Sequence, residues 1–172
     1  MKLLYSIHKY DVFMFTWLIN TKIHSTLTQS SRYLSKTGDG SLYILITGAL
    51  YWHEGIDSPF LRSILLAFLI ERPIYFLLKN SLQRNRPQAA LQNFRSIITP
   101  SDQFSFPSGH TSAAFMMATL LSFYLPALII PLYFWATLVG CSRVVLGVHF
   151  PTDILVGIIL GVCTAIFSLG QI

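Results

Sequence analysis

The chain alternates between long apolar stretches and short polar connections, and this pattern restricts the folds open to it. The apolar stretches cover residues 60–78, 110–125, 127–146 and 151–170 most clearly, 41–53 more weakly and 10–27 most weakly. Apolar residues make up 53% of the chain and charged residues 11%, whereas about a quarter of an average soluble domain is charged. A soluble domain of this size cannot bury so much apolar surface, but a bilayer can solvate it. The sequence therefore predicts an all-α integral membrane helical bundle.

Six apolar stretches predict six helices in a single domain over residues 1–172. The first stretch is the least apolar, since Asp11 and Lys22 flank its centre. Its helix is expected either to span the membrane or to be short and lie in the membrane interface. In the last stretch, Gly157 and Gly161 form a pair of small residues one helical turn apart. Such a pair predicts close packing of this helix against a neighbour.

Counting the crossings places most of the polar residues on one side of the membrane. The connections on that side are the predicted loops 28–40 and 79–109 and the turn 143–150. The net charge of +5 does not indicate nucleic-acid binding, because no basic run is interleaved with aromatic residues. The cations are instead concentrated near the loop 79–109, which predicts a local anion site or a cluster that faces anionic headgroups.

The first polar segment, KNSLQRNRP, begins at Lys79, where an apolar helix ends, and finishes at Arg86 and Pro87. The proline favours an extended backbone at Arg86. Two cations therefore leave the membrane at one helix end. Taken alone, this segment is also compatible with basic side chains that reach the headgroups.

The second segment, FPSGHT, contains Ser108, Gly109 and His110 directly before an apolar helix. Ser108 is predicted to be the N-cap residue. The backbone amides of Gly109 and His110 would then be free at the positive end of the helix, where a phosphate can bind. A plain helix start with a capping serine is the alternative.

The third segment, SRVVLGVHFPTD, carries Arg143, His149 and Asp153. Pro151 marks the start of the last helix, so Asp153 lies in its first turn and can reach back to the His149 ring. A carboxylate on one ring nitrogen leaves the other nitrogen basic and oriented, as in a nucleophile with its orienting partner. The alternative is a helix-capping aspartate beside an interfacial histidine.

Together the three segments place several ionisable side chains on one face, and charges at membrane depth are usually functional. The set comprises Lys79, Arg86 and Arg143, the histidines His110 and His149, and the carboxylate Asp153. Fixed cations suit the oxygens of a transferring phosphoryl group. One histidine can attack the phosphorus, and the other can donate a proton to the leaving oxygen.

The three segments in this order, K-x6-RP, PSGH and SR-x5-H-x3-D, resemble the signature of the type 2 phosphatidic acid phosphatase superfamily. The match spans residues 79–153 without a substitution. The resemblance implies that His149 is the nucleophile, that Asp153 orients it, and that His110 protonates the leaving group and then activates water. It implies that the phosphate-binding groups are Lys79, Arg86, Ser108, Gly109 and Arg143.

The resemblance also implies a phosphatase that needs no metal or other cofactor. Its substrate would be a phospholipid or isoprenoid lipid phosphate, such as phosphatidic acid, phosphatidylglycerol phosphate or undecaprenyl pyrophosphate. The site would face the periplasm or exterior of a bacterial inner membrane, although the basic residues on its side would place it inside by the positive-inside rule. The alternatives are a vanadate-dependent haloperoxidase-like enzyme and a non-catalytic lipid-binding membrane protein.

Three further charged residues are predicted to have structural roles. Glu71 lies inside an apolar stretch and is expected to be a structural partner. Arg84 is expected to be a solvated loop charge, and Asp102 is expected to belong to a turn.

Overall fold

The computed structural model describes residues 2–21, 24–100 and 102–172, and all the regular elements in them are helices. The helices are α1 (Lys2–Ile19), α2 (His24–Thr37), α3 (Gly40–Glu54), α4 (Pro59–Leu82), α5 (Pro87–Ala90), α6 (Gly109–Tyr124), α7 (Ile129–Val145) and α8 (Pro151–Leu169). Helix α5 is a single turn, and a short 3₁₀ turn, Pro126–Leu128, precedes α7. The predicted all-α class is confirmed.

The predicted number of six helices is not confirmed, because the described residues form seven helices of fourteen residues or more. The stretch 10–27 was predicted as one helix, but α1 ends at Ile19 and α2 begins at His24. The prediction of a loop over 28–40 was wrong, since α2 occupies most of it. Helix α2 is rich in Ser and Thr and buries small polar residues rather than an apolar face. A prediction based on apolar stretches therefore could not detect it. Lys22 lies outside the described residues.

Helix α6 lies at the centre of the bundle, where it packs against α4, α7 and α8. Its residues 111–118 are all buried. Helix α8 approaches it very closely, since a Cβ added at Gly161 would lie 2.2 Å from the carbonyl oxygen of Ser112, and one added at Gly157 would lie 2.8 Å from that of Ser108. The predicted packing role of this glycine pair is confirmed. The close contact places the first turns of α6 and α8 side by side.

Substituting Gly161→Ala is expected to destabilise the protein by about 1–3 kcal/mol, because the added methyl group meets backbone that cannot move aside. Thermal unfolding of the purified protein in detergent measures the effect. Gly48→Ala is a matched control, since a Cβ at Gly48 would meet no described atom within 4 Å. Equal melting temperatures for both variants would show that α8 can move away from α6 without a loss of stability.

Within the described ranges, two segments are long and apolar enough to cross a membrane, Pro126–Val145 and Pro151–Leu169. Less than half of each is buried inside the protein, so their apolar side chains face outwards. The exposed large apolar side chains on them include Ile130, Phe134, Leu155, Ile159, Ile166 and Phe167. An outer surface of this kind is suited to lipid rather than water. Helix α4 carries Glu71, Arg72 and Lys79, which lowers its apolar character below that of these two segments.

The end of α4, the start of α6, the end of α7 and the start of α8 meet at one end of the bundle. The backbone amide of Ser108 donates to the carbonyl oxygen of Asp153 at 3.0 Å, which ties the start of α6 to α8. The guanidinium of Arg86 donates to the carbonyl oxygen of Val148 at 2.6 Å, which ties the segment after α4 to the turn after α7. The three polar segments predicted to converge are therefore in contact.

Candidate active site

A cavity of about 890 Å³ opens between α3, α4 and α6, and most of the predicted site residues lie at its polar end. Its polar wall includes Arg86, Gly109, His110, Arg143 and His149. The remaining wall is largely apolar and comes from α3 and α4, with side chains that include Ile44, Leu61, Ile64, Leu65, Phe68 and Phe76. The cavity thus joins a cluster of cations and histidines to a surface suited to a hydrocarbon chain.

Two of the predicted phosphate-binding cations share one carboxylate, that of Asp102. The Lys79 Nζ atom lies 2.6 Å from Asp102 Oδ2, and the Arg86 guanidinium forms an ion pair with Oδ1. The Tyr75 hydroxyl also donates to Oδ2, at 2.9 Å. Burial alone raises the pKa of Asp102, but the hydrogen bonds and charges of Lys79 and Arg86 outweigh it and lower the pKa to about 2. Asp102 therefore stays ionised and holds both cations in place beside the cavity.

The predicted nucleophile, His149, is buried in the turn between α7 and α8, with its Nδ1 atom 3.6 Å from Asp153 Oδ2. This separation exceeds hydrogen-bond length, and Nδ1 has no hydrogen-bond partner among the described residues. Burial is the main cause that lowers the pKa of His149 to about 4. The charges of Arg86 and Arg143 also lower this pKa, whereas the Asp153 carboxylate raises it. At neutral pH the imidazole is therefore uncharged and can act as a nucleophile.

Asp153 is fully buried and held by two other bonds. Its Oδ2 atom accepts from the backbone amide of Phe150 at 2.7 Å, and its Oδ1 atom accepts from Arg84 at 2.8 Å. Arg84 in turn forms an ion pair with Asp11 of α1 at 2.6 Å and lies over the Phe150 ring. The interpretation of Arg84 as a solvated loop charge was wrong, because this guanidinium links the buried carboxylates of α1 and α8.

The predicted helix start at Ser108 is confirmed, since its side chain accepts a hydrogen bond from the Thr111 amide. The Ser108 hydroxyl is buried and lies 2.8 Å from the Thr111 hydroxyl, so it faces the first turn of α6 rather than the cavity. Gly109 and His110 follow it in the cavity wall. The Nε2 atom of His110 lies 2.8 Å from Oδ1 of Asp39, the residue before α3.

Arg143 comes from the last turn of α7 and is almost completely buried. Its guanidinium donates to the hydroxyl of Ser35 on α2, and its Nε atom has no partner in the described part of the chain. A buried donor without a partner is costly, so such an atom is available for an anion in the cavity.

Glu71 is completely buried and fits the predicted structural role. Its Oε1 atom accepts from the Ser112 hydroxyl at 2.6 Å and from Arg72 at 2.7 Å. The bond to Ser112 joins α4 to α6, and Arg72, on α4 like Glu71, also lines the cavity.

The structure therefore brings all eight predicted residues to one end of the bundle, in two layers. Arg86, Gly109, His110, Arg143 and His149 line the cavity, whereas Lys79, Ser108 and Asp153 lie behind it. The sequence interpretation missed the parts played by Asp11, Asp39, Arg84 and Asp102. Asp102 carries a usable signal, since cations gathered in a membrane protein need a nearby counter-charge. Asp39 carries none, because it belongs to a Gly-Asp-Gly turn of ordinary appearance.

A buried histidine lies beside fixed cations at the end of a partly apolar cavity, an arrangement whose charges suit a phosphate group. The family described as the PAP2 superfamily matches residues 60–172, which is about two thirds of the chain. The chain belongs to this superfamily, and the resemblance inferred from its three motifs is confirmed.

Similar proteins include phosphatases that act on lipids. Decaprenylphosphoryl-5-phosphoribose phosphatase of Mycobacterium tuberculosis is 37% identical over 98 residues, which cover 54% of this chain and 50% of that protein. The match thus spans about half the length of this curated relative.

Two crystal structures share the fold. That of Aquifex aeolicus LpxE has a TM-score of 0.78 and 28% identity, with 91% of this chain and 93% of that chain covered. That of the first transmembrane PAP2 type phosphatidylglycerolphosphate phosphatase, from Bacillus subtilis, has a TM-score of 0.76 and 28% identity, with 96% and 86% covered.

Proposed function

We propose that the chain is a membrane phosphatase that hydrolyses a lipid phosphate or pyrophosphate through a phosphohistidine intermediate. The observation that carries the proposal is the cavity, which has His149, Arg86 and Arg143 at one end and the apolar side chains of α3 and α4 along its wall. A phosphate fits the first part and a hydrocarbon chain fits the second. The proposed enzyme is one domain over residues 1–172.

The first chemical step would be attack of the His149 Nε2 atom on phosphorus. The new N–P bond forms as the P–O bond to the lipid breaks, and His110 gives its proton to the departing oxygen. Asp153 lies on the Nδ1 side and stabilises the positive charge that the ring acquires. In the second step His110 takes a proton from water, which attacks phosphorus and releases His149.

The phosphate oxygens would be held by Lys79, Arg86 and Arg143, with the amide of Gly109 at the helix start and Ser108 supporting that turn. Charge spreads over the equatorial oxygens in the transition state, so fixed cations stabilise it more than the bound substrate. The Nε atom of Arg143, which has no hydrogen-bond partner among the described residues, supports this assignment. The Asp102 carboxylate keeps Lys79 and Arg86 in position.

Phosphatidic acid, phosphatidylglycerol phosphate and undecaprenyl pyrophosphate are the proposed candidate substrates. We place the enzyme in a bacterial inner membrane, with the site facing the periplasm or exterior. In that location the headgroup would reach the cations at the membrane surface while the chain stays in the bilayer, against α3 and α4.

Phosphate release from these three lipids by the detergent-purified protein is expected to persist in excess EDTA, because the proposed steps use only side chains and water. Release of inorganic phosphate from each lipid measures it, and the fastest lipid indicates the physiological role. Loss of activity in EDTA that Mg²⁺ restores would contradict the proposed mechanism. No release from any lipid by a well-folded sample would favour a non-catalytic lipid-binding protein.

A further inference from the structure

A second histidine–carboxylate pair lies at the mouth of the site. The Nε2 atom of His110 is 2.8 Å from Oδ1 of Asp39, which is 71 residues earlier in the chain. Asp39 lies in the turn between α2 and α3, outside the region 60–172 that matches the PAP2 superfamily. This contact therefore joins a residue of the family motif to a part of the chain outside the matched region.

Helix capping does not explain the position of the Asp39 side chain. Asp39 is the N-cap residue of α3 and has the extended backbone typical of that position. Among the described residues, however, its side chain makes no capping bond to the first turn of α3. The carboxylate points to His110 instead, so its hydrogen bond serves the site rather than the helix.

Asp39 and His110 lie where two cavities meet. The large cavity runs along α3 and α4, and a second cavity of about 750 Å³ lies beside α2, with Arg32 and Lys36 in its wall. Asp39, His110 and Arg143 line both cavities. The pair is thus open to a substrate on one side and to a polar space on the other.

We propose that Asp39 is a positioning residue for the acid–base steps of His110, an inference that rests on the proposed function. The bond at Nε2 fixes the imidazole ring and leaves Nδ1 for the leaving oxygen. Burial and the nearby Arg143 cation lower the pKa of His110, whereas the hydrogen bond and charge of Asp39 oppose this and favour the protonated ring. Asp39 therefore makes it easier for His110 to carry the proton that the leaving oxygen takes.

The test uses two substrates that differ in their need for an acid. An alkyl lipid phosphate has a poor leaving group that must be protonated, whereas p-nitrophenyl phosphate has a good one that leaves without help. The quantity measured is kcat/KM, which covers steps up to departure of the leaving group. Asp39→Asn keeps the size of the side chain and removes its charge.

Asp39→Asn is expected to lower kcat/KM for the alkyl lipid phosphate by about 10- to 100-fold, as loss of an orienting partner commonly does. For p-nitrophenyl phosphate the expected change is smaller than about threefold, since that reaction needs little acid assistance. Asp39→Glu restores the charge and is expected to recover part of the loss. Asp57→Asn is the control, because Asp57 pairs with Arg62 at the far end of α3.

A double variant tests whether Asp39 acts through His110. In a His110→Ala background, Asp39→Asn is expected to cause no further loss with the alkyl substrate. Equal losses with both substrates in Asp39→Asn alone would reduce Asp39 to a structural or phosphate-binding role and overturn the inference. Wild-type rates in Asp39→Asn would show that the bond between Asp39 and His110 has no effect on the reaction, and this result would also overturn the inference. A wild-type protein that hydrolyses neither substrate would instead overturn the proposed function.

Discussion

Substituting His149→Ala is expected to reduce phosphate release by about 10⁴-fold or more, because the reaction loses its nucleophile. The side chain is buried, and burial lowers its pKa to about 4, so the wild-type ring is uncharged at neutral pH. The other polar side chains in this part of the cavity wall include cations, the carboxylates of Asp39 and Asp102, and His110, whose ring is already paired with Asp39, so none of them is expected to replace the nucleophile. Initial rates of phosphate release in detergent measure the change.

The control for this variant is His53→Ala, since His53 is an exposed histidine in the last turn of α3, away from the site. Both variants need melting temperatures close to that of the wild type, because a loss of activity can then be assigned to the reaction and not to unfolding. Retention of more than about a tenth of the wild-type rate would contradict the nucleophile assignment. Rapid quenching with a ³²P-labelled lipid phosphate gives a second measurement, because label that is stable to base but lost in acid is expected on wild type and absent from His149→Ala.

The sequence predicted which residues gather at one end of the bundle better than it predicted the number of helices. The motif residues Lys79, His110 and His149 lie at ends of strongly apolar stretches, and helix ends in a bundle meet at common faces. Apolar periodicity identifies such stretches well. It could not identify α2, which contacts α7 through polar side chains such as Ser35 and His24.

The groups that surround the motif residues could not be predicted, because they come from distant parts of the chain. Asp39 reaches His110 across 71 residues, and Asp11 reaches Arg84 across 73. Each contact depends on how α1 and α2 pack over the site, and no local pattern encodes that packing. A single sequence therefore indicates which residues can react, whereas the structure shows which carboxylates set their charge and direction.

Asp153→Asn is expected to lower kcat/KM by about 10²- to 10⁴-fold and to remain more active than His149→Ala, because orientation is lost and the nucleophile is kept. The asparagine is nearly the same size and retains an oxygen that can accept from the Phe150 amide. Its neutral amide cannot balance Arg84 or the charge that forms on His149. The loss is therefore expected in turnover rather than in folding.

Thermal unfolding and initial rates measured on the same Asp153→Asn sample separate these two effects. Thr152→Ala is a suitable control, since it removes the bonds that the adjacent hydroxyl makes to Asp11 and Arg84 and leaves the Asp153 carboxylate in place. Wild-type rates in Asp153→Asn would reduce Asp153 to a helix cap for α8. A large loss in Asp153→Asn, with rates near wild type in Thr152→Ala, would show that the buried carboxylate acts on His149, whose Nδ1 atom lies 3.6 Å away.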